Sequence, residues 1–306
     1  MAYLCSLFTE EYMNEKKNYT YHVIAVVIVA IWGVTFISTK ILIGNGLSPQ
    51  EIFLLRFCIA YAGIWIISPR RLMAKSWRDE LWLVAGGMTG GSFYFLAENT
   101  ALKYTQTNNV AFLITTAPLF TAFLSILFYK NEKASRSLFV GSIIALIGVA
   151  LVVYNGSYIL KLSPLGDFLT FLAALSWAFY SLIMKKVLPR YSAAFITRKI
   201  FFYGILTVLP FFIVEPFHFG LAGLFQPVVL FNLLFLGVVA SLICYVTWNI
   251  VLNRLGTVSA SNYIYLNPLA TLVGSTIVLS EEITVISLMG SALILGGVYI
   301  AERKHI

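Results

Sequence analysis

Three ionisable side chains, Lys40, Arg56 and Glu98, stand within or at the end of long apolar runs. A charge in such a place is costly, so each is a candidate functional residue. Glu98 could take up and release a proton, or it could anchor the ammonium group of a bound solute. Arg56 could hold a solute carboxylate, and Lys40 could extend its ammonium group from a helix end toward water. A structural pair of Glu98 with Arg56 or Lys40 is the alternative, and the sequence leaves both interpretations open.

The helical spacing around Glu98 places aromatic side chains beside the carboxylate. Tyr94, Phe95 and Glu98 share one helix face, because residues three and four apart are neighbours on a helix. We predict that aromatic and amide residues join Glu98 in binding a flat or zwitterionic solute by stacking and hydrogen bonds. For any single aromatic residue, plain packing or a place at the membrane interface is the alternative. The predicted set is Trp32, Thr35, Tyr94, Asn99, Trp177, Tyr180, Trp248, Asn249, Asn262 and Tyr265, with Asn267 beside them.

These candidate residues recur at matched places in the two halves of the chain. With an offset of 145 residues Trp32 falls on Trp177, and with an offset of 150 residues Pro118 falls on Pro268. Such extended self-similarity indicates an internal repeat. Each proline removes a backbone hydrogen bond, so we expect a static kink or a hinge in both helices. Further matched pairs are Asn99 with Asn249, Glu132 with Glu282, Gly141 with Gly290 and Gly148 with Gly297.

The composition assigns the chain to the membrane proteins. Of its 306 residues, 59% are hydrophobic and 11% are charged, whereas about 25% are charged in an ordinary soluble domain. The mean hydropathy is +0.87. The net charge of +8 comes from basic clusters between apolar runs, a pattern of membrane topology rather than of nucleic-acid binding.

The residue pattern does not favour catalysis or a bound cofactor. Cys5, Cys58 and Cys244 are far apart, and two of them lie in apolar runs, so packing is their expected role. The three histidines lie near span ends or tails, and there is no GxxxxGK[ST] motif for nucleotide phosphates. We therefore predict neither an enzyme nor a protein that holds a cofactor or a metal.

Ten segments are long and apolar enough to cross a bilayer, which takes about 20 residues in a helix. Short connections make neighbouring helices antiparallel, and turn-forming residues separate two groups of five. We predict a cytoplasmic tail at 1–19, five-helix repeats at 20–155 and 164–302, an extracytoplasmic linker at 156–163 and a tail at 303–306. The spans are predicted at 20–43, 49–67, 80–103, 107–129, 136–154, 165–187, 192–214, 227–252, 257–280 and 283–301.

The distribution of basic residues predicts the orientation of these spans. If both termini are cytoplasmic, the cytoplasmic segments hold 17 of the 21 Lys and Arg residues. Five spans per repeat then make the second repeat inverted relative to the first, an arrangement found in many secondary transporters. Lysines flank Glu132 but not Glu282, which agrees with opposite sides of the membrane. We expect these two glutamates to cap loops or close gates.

Several short motifs recur in order along the chain. They are Trp32-Gly33, Arg56-Phe57, Ala101-Leu102-Lys103-Tyr104-Thr105, Pro118, Glu132 and Gly141…Gly148 in the first half, then Trp177, Pro268, Glu282, Gly290 and Gly297. With these motifs the chain resembles the ten-span EamA-type family of the drug/metabolite transporter superfamily. The resemblance implies an all-α membrane protein of ten transmembrane helices in two inverted five-helix repeats. It also implies alternating-access transport of small metabolites through a central cavity, and a structural or gating role for Arg56.

The second half departs from the family pattern. It has no clear counterpart of Arg56-Phe57, and the basic pair Arg198-Lys199 stands at a shifted place instead.

Together, the candidate residues and the family resemblance imply a secondary transporter that exports small polar metabolites, with amino acids or related amines as the leading substrates. The predicted partners are the solute, the lipid bilayer and, if Glu98 couples transport, the proton. A multi-pass place in a bacterial inner membrane and a monomer or homodimer are expected. A carrier of sugar nucleotides, sugar phosphates or lipid-linked solutes is the first alternative, and a non-transporting scaffold is the second. The predicted coupling or gating residues are Glu98, Arg56, Lys40, Pro118 and Pro268.

Overall fold

The computed structural model describes residues 2–68, 72–105, 107–129, 135–154, 163–279 and 284–302. Within these ranges the regular secondary structure is all helical, with no strand. Within the described ranges, ten long helices follow one another in the predicted order, and a short helix, Leu221–Leu224, lies between the seventh and the eighth. They are α1 (Ala2–Gly44), α2 (Pro49–Ile67), α3 (Trp77–Gly87, Met88–Ser92 and Phe93–Tyr104), α4 (Thr107–Ile114 and Ala117–Phe128), α5 (Arg136–Tyr154), α6 (Pro164–Val187), α7 (Ala193–Val208 and Phe211–Val214), α8 (Pro227–Leu234, Phe235–Ile243 and Cys244–Leu255), α9 (Thr257–Asn262, Tyr263–Leu266 and Asn267–Leu279) and α10 (Val285–Glu302).

The ends of the predicted repeats are only partly described. Helix α1 already covers most of the segment 1–19, which therefore continues the helix of the first span. Residues 156–162 of the predicted linker lie outside the described residues, and so does the whole predicted tail 303–306. Glu132 and Glu282 lie outside them as well, so their roles as caps or gates stay predictions.

A capping box begins α2 and ties it to the second half of the chain. The Glu51 carboxylate accepts the backbone N–H of Ser48 at 2.8 Å, while the Ser48 hydroxyl oxygen accepts the N–H of Glu51. The other carboxylate oxygen accepts the N–H groups of His218 and Phe219 at 2.8 and 2.9 Å. The connection between α7 and α8 is thereby held against the start of α2. Four further helices begin with a side-chain cap, from Ser76, Ser135, Ser163 and Ser192.

Two helices change to π-helical geometry at matched positions. The π-helical segments are Met88–Ser92 in α3 and Phe235–Ile243 in α8. The repeat offset of 150 residues places the first segment inside the second. π-Helices are rare and occur frequently at functional sites. Their matched positions in the two repeats therefore make these two segments candidate functional elements.

Two other helices are interrupted just before a proline. Helix α4 breaks at residues 115–116, and α9 tightens to a 3-10 turn at Tyr263–Leu266. Pro118 and Pro268 are each the second residue of the helical segment that follows. A proline near a helix start costs no hydrogen bond, because the N–H there has no partner in the helix.

Helices α5 and α10 pack with their backbones in contact. A Cβ on Gly141 would lie 2.5 Å from the Gly297 carbonyl oxygen, and a Cβ on Gly148 would lie 2.6 Å from that of Gly290. Helices in a bilayer associate through close van der Waals packing, which small residues permit. The glycines that recur in the sequence therefore determine the contact between the last helices of the two repeats.

Glycines also bring α3 against α6 and α7. A Cβ on Gly86 would lie 2.7 Å from Cδ1 of Ile200, and a Cβ on Gly87 would lie 2.5 Å from Cβ of Tyr203. These glycines thus pack inside the chain, across the boundary between the repeats.

Buried polar contacts join the repeats at the predicted cytoplasmic end. Lys199 in α7 pairs with Glu80 in α3, and the Tyr203 hydroxyl donates to the same carboxylate. The guanidinium group of Arg198 donates to the Ser68 carbonyl oxygen. The basic pair that departs from the family pattern therefore makes contacts between the two repeats.

The described helices are consistent with a chain that crosses the membrane many times. The apolar parts of α5 and α10, Arg136–Leu151 and Leu288–Ala301, are shorter than a full span. The structure agrees with the predicted fold class, an all-α membrane protein of ten helices in two inverted repeats. Within the described ranges, the helices that are long and apolar enough to span a membrane are Tyr19–Gly44, Pro49–Ile67, Asn109–Phe128, Pro164–Val187, Ala193–Val214 and Pro227–Leu255.

Candidate solute-binding site

A narrow cavity lies between the two repeats. Helices α1 to α4 of the first repeat and α6, α8 and α9 of the second line it. The volume open to the centre of a water molecule is about 30 Å³, which leaves room for a few waters at most. A solute can therefore bind there only if side chains or helices move. Among the predicted residues, those that line the cavity are Trp32, Thr35, Arg56, Tyr94, Glu98, Trp177 and Asn267.

Aromatic rings form much of the cavity wall, with six of the 13 lining residues aromatic. Trp32 and Trp177, which the repeat matches, meet edge to face with ring centroids 5.3 Å apart. Tyr94 and Tyr245 lie 5.1 and 5.9 Å from the Trp177 ring. The faces of such rings attract cations and stack on flat groups, so this wall suits an ammonium group or a planar solute.

Glu98 supplies the acidic group of the cavity. The residue is 4% exposed, and its carboxylate accepts a hydrogen bond from the Tyr94 hydroxyl at 3.3 Å. Among the ion pairs between described residues, none joins Glu98 to Arg56 or Lys40. A carboxylate has about four acceptor sites, so Glu98 keeps capacity for the donor groups of a solute.

Arg56 bridges the first repeat to the second. It is 2% exposed, and its Nε donates to the Ser241 hydroxyl of α8 at 3.0 Å. The guanidinium carbon lies 4.2 Å from the centroid of the Phe95 ring, a cation–π contact. The other N–H groups of the guanidinium remain able to donate to an acceptor in the cavity.

Two more polar atoms of the lining lack a hydrogen-bond partner among the described residues. They are the indole Nε1 of Trp177 and the amide Oδ1 of Asn267, both buried. Buried polar groups without a partner are rare and costly. A solute that offers an acceptor to Trp177 and a donor to Asn267 would satisfy both atoms.

Asn99 and Asn249 join helices outside the cavity. The side-chain amide of Asn99 donates to the Pro49 carbonyl oxygen at the start of α2, at 3.1 Å. The amide of Asn249 donates to the Thr197 hydroxyl near the start of α7 at 3.0 Å, and it accepts the Tyr180 hydroxyl at 2.8 Å. The repeat therefore uses one asparagine to join α3 to α2 and its counterpart to join α8 to α7.

The other predicted residues also lie outside the lining. Trp248 packs against Trp32, with ring centroids 5.0 Å apart. The ammonium group of Lys40 donates to the carbonyl oxygens of Leu102 and Thr105, so it caps the end of α3. Their roles in binding or gating stay predictions. Four more predicted residues are buried in or beside the helix interruptions, Pro118 in α4 and Asn262, Tyr265 and Pro268 in α9. Their roles in binding or gating also stay predictions.

Tyr245 is the main lining residue that was not predicted. Its hydroxyl donates to the Gly90 carbonyl oxygen of the π-helical segment in α3 at 2.6 Å, and its ring lies 6.0 Å from Trp32. Its position three residues before Trp248, on the same helix face, is the sequence signal that could identify it. The other unpredicted lining residues are Phe36, Phe95, Ile114, Ala117 and Ile264.

The cavity offers charge, hydrogen bonds and aromatic faces, which suit reversible binding of a small polar solute. In the part of the chain that the structure describes, no group of three or more His, Cys, Asp or Glu residues is placed to hold a metal ion. Cys58 is an exposed free thiol and Cys244 is a buried one.

Comparison with known proteins agrees with this architecture. The model of the EamA-like transporter family matches residues 20–154 and again residues 164–302. An "Uncharacterized transporter" of Archaeoglobus fulgidus is 28% identical over 297 residues, which cover 96% of this chain and 99% of the relative. A "Probable amino-acid metabolite efflux pump" of Escherichia coli (strain K12) is 24% identical over 288 residues, which cover 91% of this chain and 93% of the relative. A solved crystal structure that is 17% identical in sequence has a TM-score of 0.72. The match covers 94% of this chain and 97% of the chain in that structure.

The two matches of one family model correspond to the two halves of the internal repeat. The apolar helices and the named relatives agree on a multi-pass membrane protein. The chain belongs to the EamA-like transporter family.

Proposed function

We propose that the protein is a secondary active transporter that exports amino acids or related amine-bearing solutes by alternating access. The observation that carries the proposal is the buried Glu98 carboxylate beside an aromatic wall, which makes no direct salt bridge among the described residues. A carboxylate and aromatic faces together suit an ammonium group. The name of the Escherichia coli relative supports the same class of solute.

In this proposal the ammonium group of the solute binds Glu98 and its side chain stacks on the tryptophans of the wall. An acceptor group of the solute meets Nε1 of Trp177 and the remaining N–H groups of Arg56. Among the described residues, Arg56 is the only basic one that lines the cavity. The cavity can therefore balance one carboxylate, but it lacks the basic cluster that a sugar phosphate or nucleotide would require.

Alternating access is supported by two inverted repeats that enclose a narrow cavity. The interruptions before Pro118 and Pro268 supply places where α4 and α9 can bend. We place both termini in the cytoplasm, because most basic residues then lie on that side. A protease added to membrane vesicles tests this orientation through a C-terminal tag. Cutting of the tag only in inside-out vesicles would agree with cytoplasmic termini, and cutting only in right-side-out vesicles would show the opposite orientation.

A ligand screen followed by transport assays tests the proposed substrate class. The purified protein is heated with amino acids, amines, N-acetylated amino acids and sugar phosphates. A ligand at 100 times its dissociation constant adds about 2.7 kcal/mol of stability, which a melting curve detects. We expect free amino acids or amines to stabilise the protein and N-acetylated forms to have no effect. A response to sugar phosphates alone would favour the alternative carrier.

Replacing Glu98 with glutamine tests the role of the carboxylate. A hydrogen bond to a charged group contributes about 1.5–3 kcal/mol, so Glu98→Gln should weaken binding about 10- to 100-fold. Glu215→Gln is the matched control, because Glu215 is exposed in the connection after α7. If Glu98 also carries the proton, efflux from proteoliposomes by Glu98→Gln should lose its pH dependence. Normal efflux with unchanged pH dependence would remove Glu98 from the mechanism.

A further inference from the structure

Each of the two π-helical segments accepts a side-chain hydrogen bond from the opposite repeat. The Tyr245 hydroxyl of the second repeat donates to the Gly90 carbonyl oxygen at 2.6 Å. The Trp32 indole N–H of the first repeat donates to the Ala240 carbonyl oxygen at 3.1 Å. Gly90 and Ala240 are counterparts at the repeat offset of 150 residues. The same carbonyl position is thus a contact point between the repeats in both halves.

The tryptophans at these contact points are counterparts as well, but only one of them is bonded. Trp32 corresponds to Trp177, so the symmetric counterpart of the Trp32–Ala240 bond is a bond from Trp177 to Gly90. In the structure the Trp177 Nε1 is buried and has no partner. The Gly90 carbonyl oxygen accepts Tyr245, but a carbonyl has two lone pairs and can accept a second donor.

This asymmetry has a simple physical explanation in an inverted repeat. In alternating access, the two repeats rock against each other about a central site. If the state that opens to the other side is the symmetric counterpart of this one, each repeat takes the conformation that the other has here. A bond present in one repeat is then lost, and its counterpart in the other repeat forms. A buried donor without a partner is unfavourable in one state but is satisfied in the other.

We propose that Trp32 and Trp177 stabilise opposite conformations of the transporter through the carbonyl oxygens of the two π-helical segments. The Trp32–Ala240 bond stabilises the conformation in the structure, and a Trp177–Gly90 bond stabilises the opposite one. This inference rests on the proposed alternating access. It adds a role for two tryptophans that is separate from their stacking on a solute.

The experiment measures the two conformations directly, without solute. Pairs of spin labels are placed at exposed helix ends, Lys103 with Val228 and Arg78 with Asn253, after the native cysteines are replaced by alanine. The repeat offset of 150 residues relates the two pairs. The first pair measures the distance between helix ends on the predicted extracytoplasmic side, and the second pair measures it on the predicted cytoplasmic side. Double electron–electron resonance then gives the ratio of the two populations. Trp32→Phe and Trp177→Phe keep an aromatic ring and remove only the indole N–H.

The two variants should shift the ratio in opposite directions. One hydrogen bond of ordinary strength changes a population ratio about 3- to 10-fold. Trp32→Phe should reduce the conformation of the structure, and Trp177→Phe should increase it. The matched control is Trp248→Phe, because its indole N–H is also buried without a partner and its counterpart in the repeat is Glu98. It should leave the ratio unchanged.

The sign of the Trp177→Phe shift decides the inference by itself, because this variant keeps every hydrogen bond seen in the structure and should fold. No shift, or a shift in the same direction as Trp32→Phe, would overturn the inference. If the two variants shift the ratio in opposite directions but the protein transports no amine-bearing solute, the substrate class is wrong and the tryptophan roles stand. If transport is normal and Trp177→Phe has no effect, the tryptophan roles are wrong and the proposed function stands.

Discussion

Replacing Gly297 with alanine should force α5 and α10 apart. A Cβ at this position would lie 2.5 Å from the Ala145 backbone nitrogen and 2.6 Å from the Gly141 carbonyl oxygen. Both are backbone atoms in a helix, so they cannot rotate away and the helices must separate. Enlarging a side chain at a well-packed site costs about 1–3 kcal/mol. We expect a loss of that size in the free energy of unfolding.

The neighbouring glycine supplies a matched control. A Cβ on Gly296 would meet no atom within 4 Å. Alanine is favoured over glycine in a helix by about 0.5–1 kcal/mol, so Gly296→Ala should be neutral or stabilising. The two variants differ in sequence by one position, and their free energies of unfolding should differ by about 1.5–4 kcal/mol.

Thermal unfolding in detergent measures this difference. Cys244 is buried, so a thiol-reactive dye reports unfolding once Cys5 and the exposed Cys58 have been replaced. Equal melting temperatures for Gly296→Ala and Gly297→Ala would refute the reasoning from backbone contact. Adding Gly141→Ala to Gly297→Ala should cost less than the sum of the single changes, because one separation of the helices relieves both clashes.

Three further predictions concern polar contacts away from the cavity. Lys40→Met removes charged hydrogen bonds to the end of α3, so the melting curve should show a loss of about 1–3 kcal/mol, with solute affinity retained. Lys199→Met leaves Glu80 buried without its cation and should cost about 3–5 kcal/mol, and adding Glu80→Gln should recover much of that loss. The hydrogen bond from the Tyr191 hydroxyl lowers the pKa of Asp79, just before the predicted third span. A lowered folded-state pKa stabilises the protein above the pKa of the unfolded state, and this stability is lost as pH falls through the folded-state pKa. Tyr191→Phe should therefore destabilise the protein near neutral pH, with the difference from wild type shrinking below about pH 4 in pH-dependent melting curves.

The lining residues that the sequence predicts are polar or aromatic residues marked by their type, by the repeat or by helical spacing around Glu98. Glu98 and Arg56 stand out because ionisable groups are rare in apolar runs, and both line the cavity. Trp32 and Trp177 stand out because the repeat matches them. Tyr245 has neither property, since its repeat counterpart is Phe95 and tyrosine is common in this chain.

The sequence alone predicts that this is a membrane protein of ten helices in two repeats, because apolar runs and self-similarity are visible without any knowledge of neighbours. Tertiary structure alone decides which polar groups meet. Arg56 bonds to Ser241 across 185 residues of sequence, and Asn99 bonds to α2 instead of lining the cavity. The physical reason is that helices in this chain are apolar or aromatic on most faces. Periodicity therefore does not mark the face that turns toward the cavity, and packing between distant helices selects it.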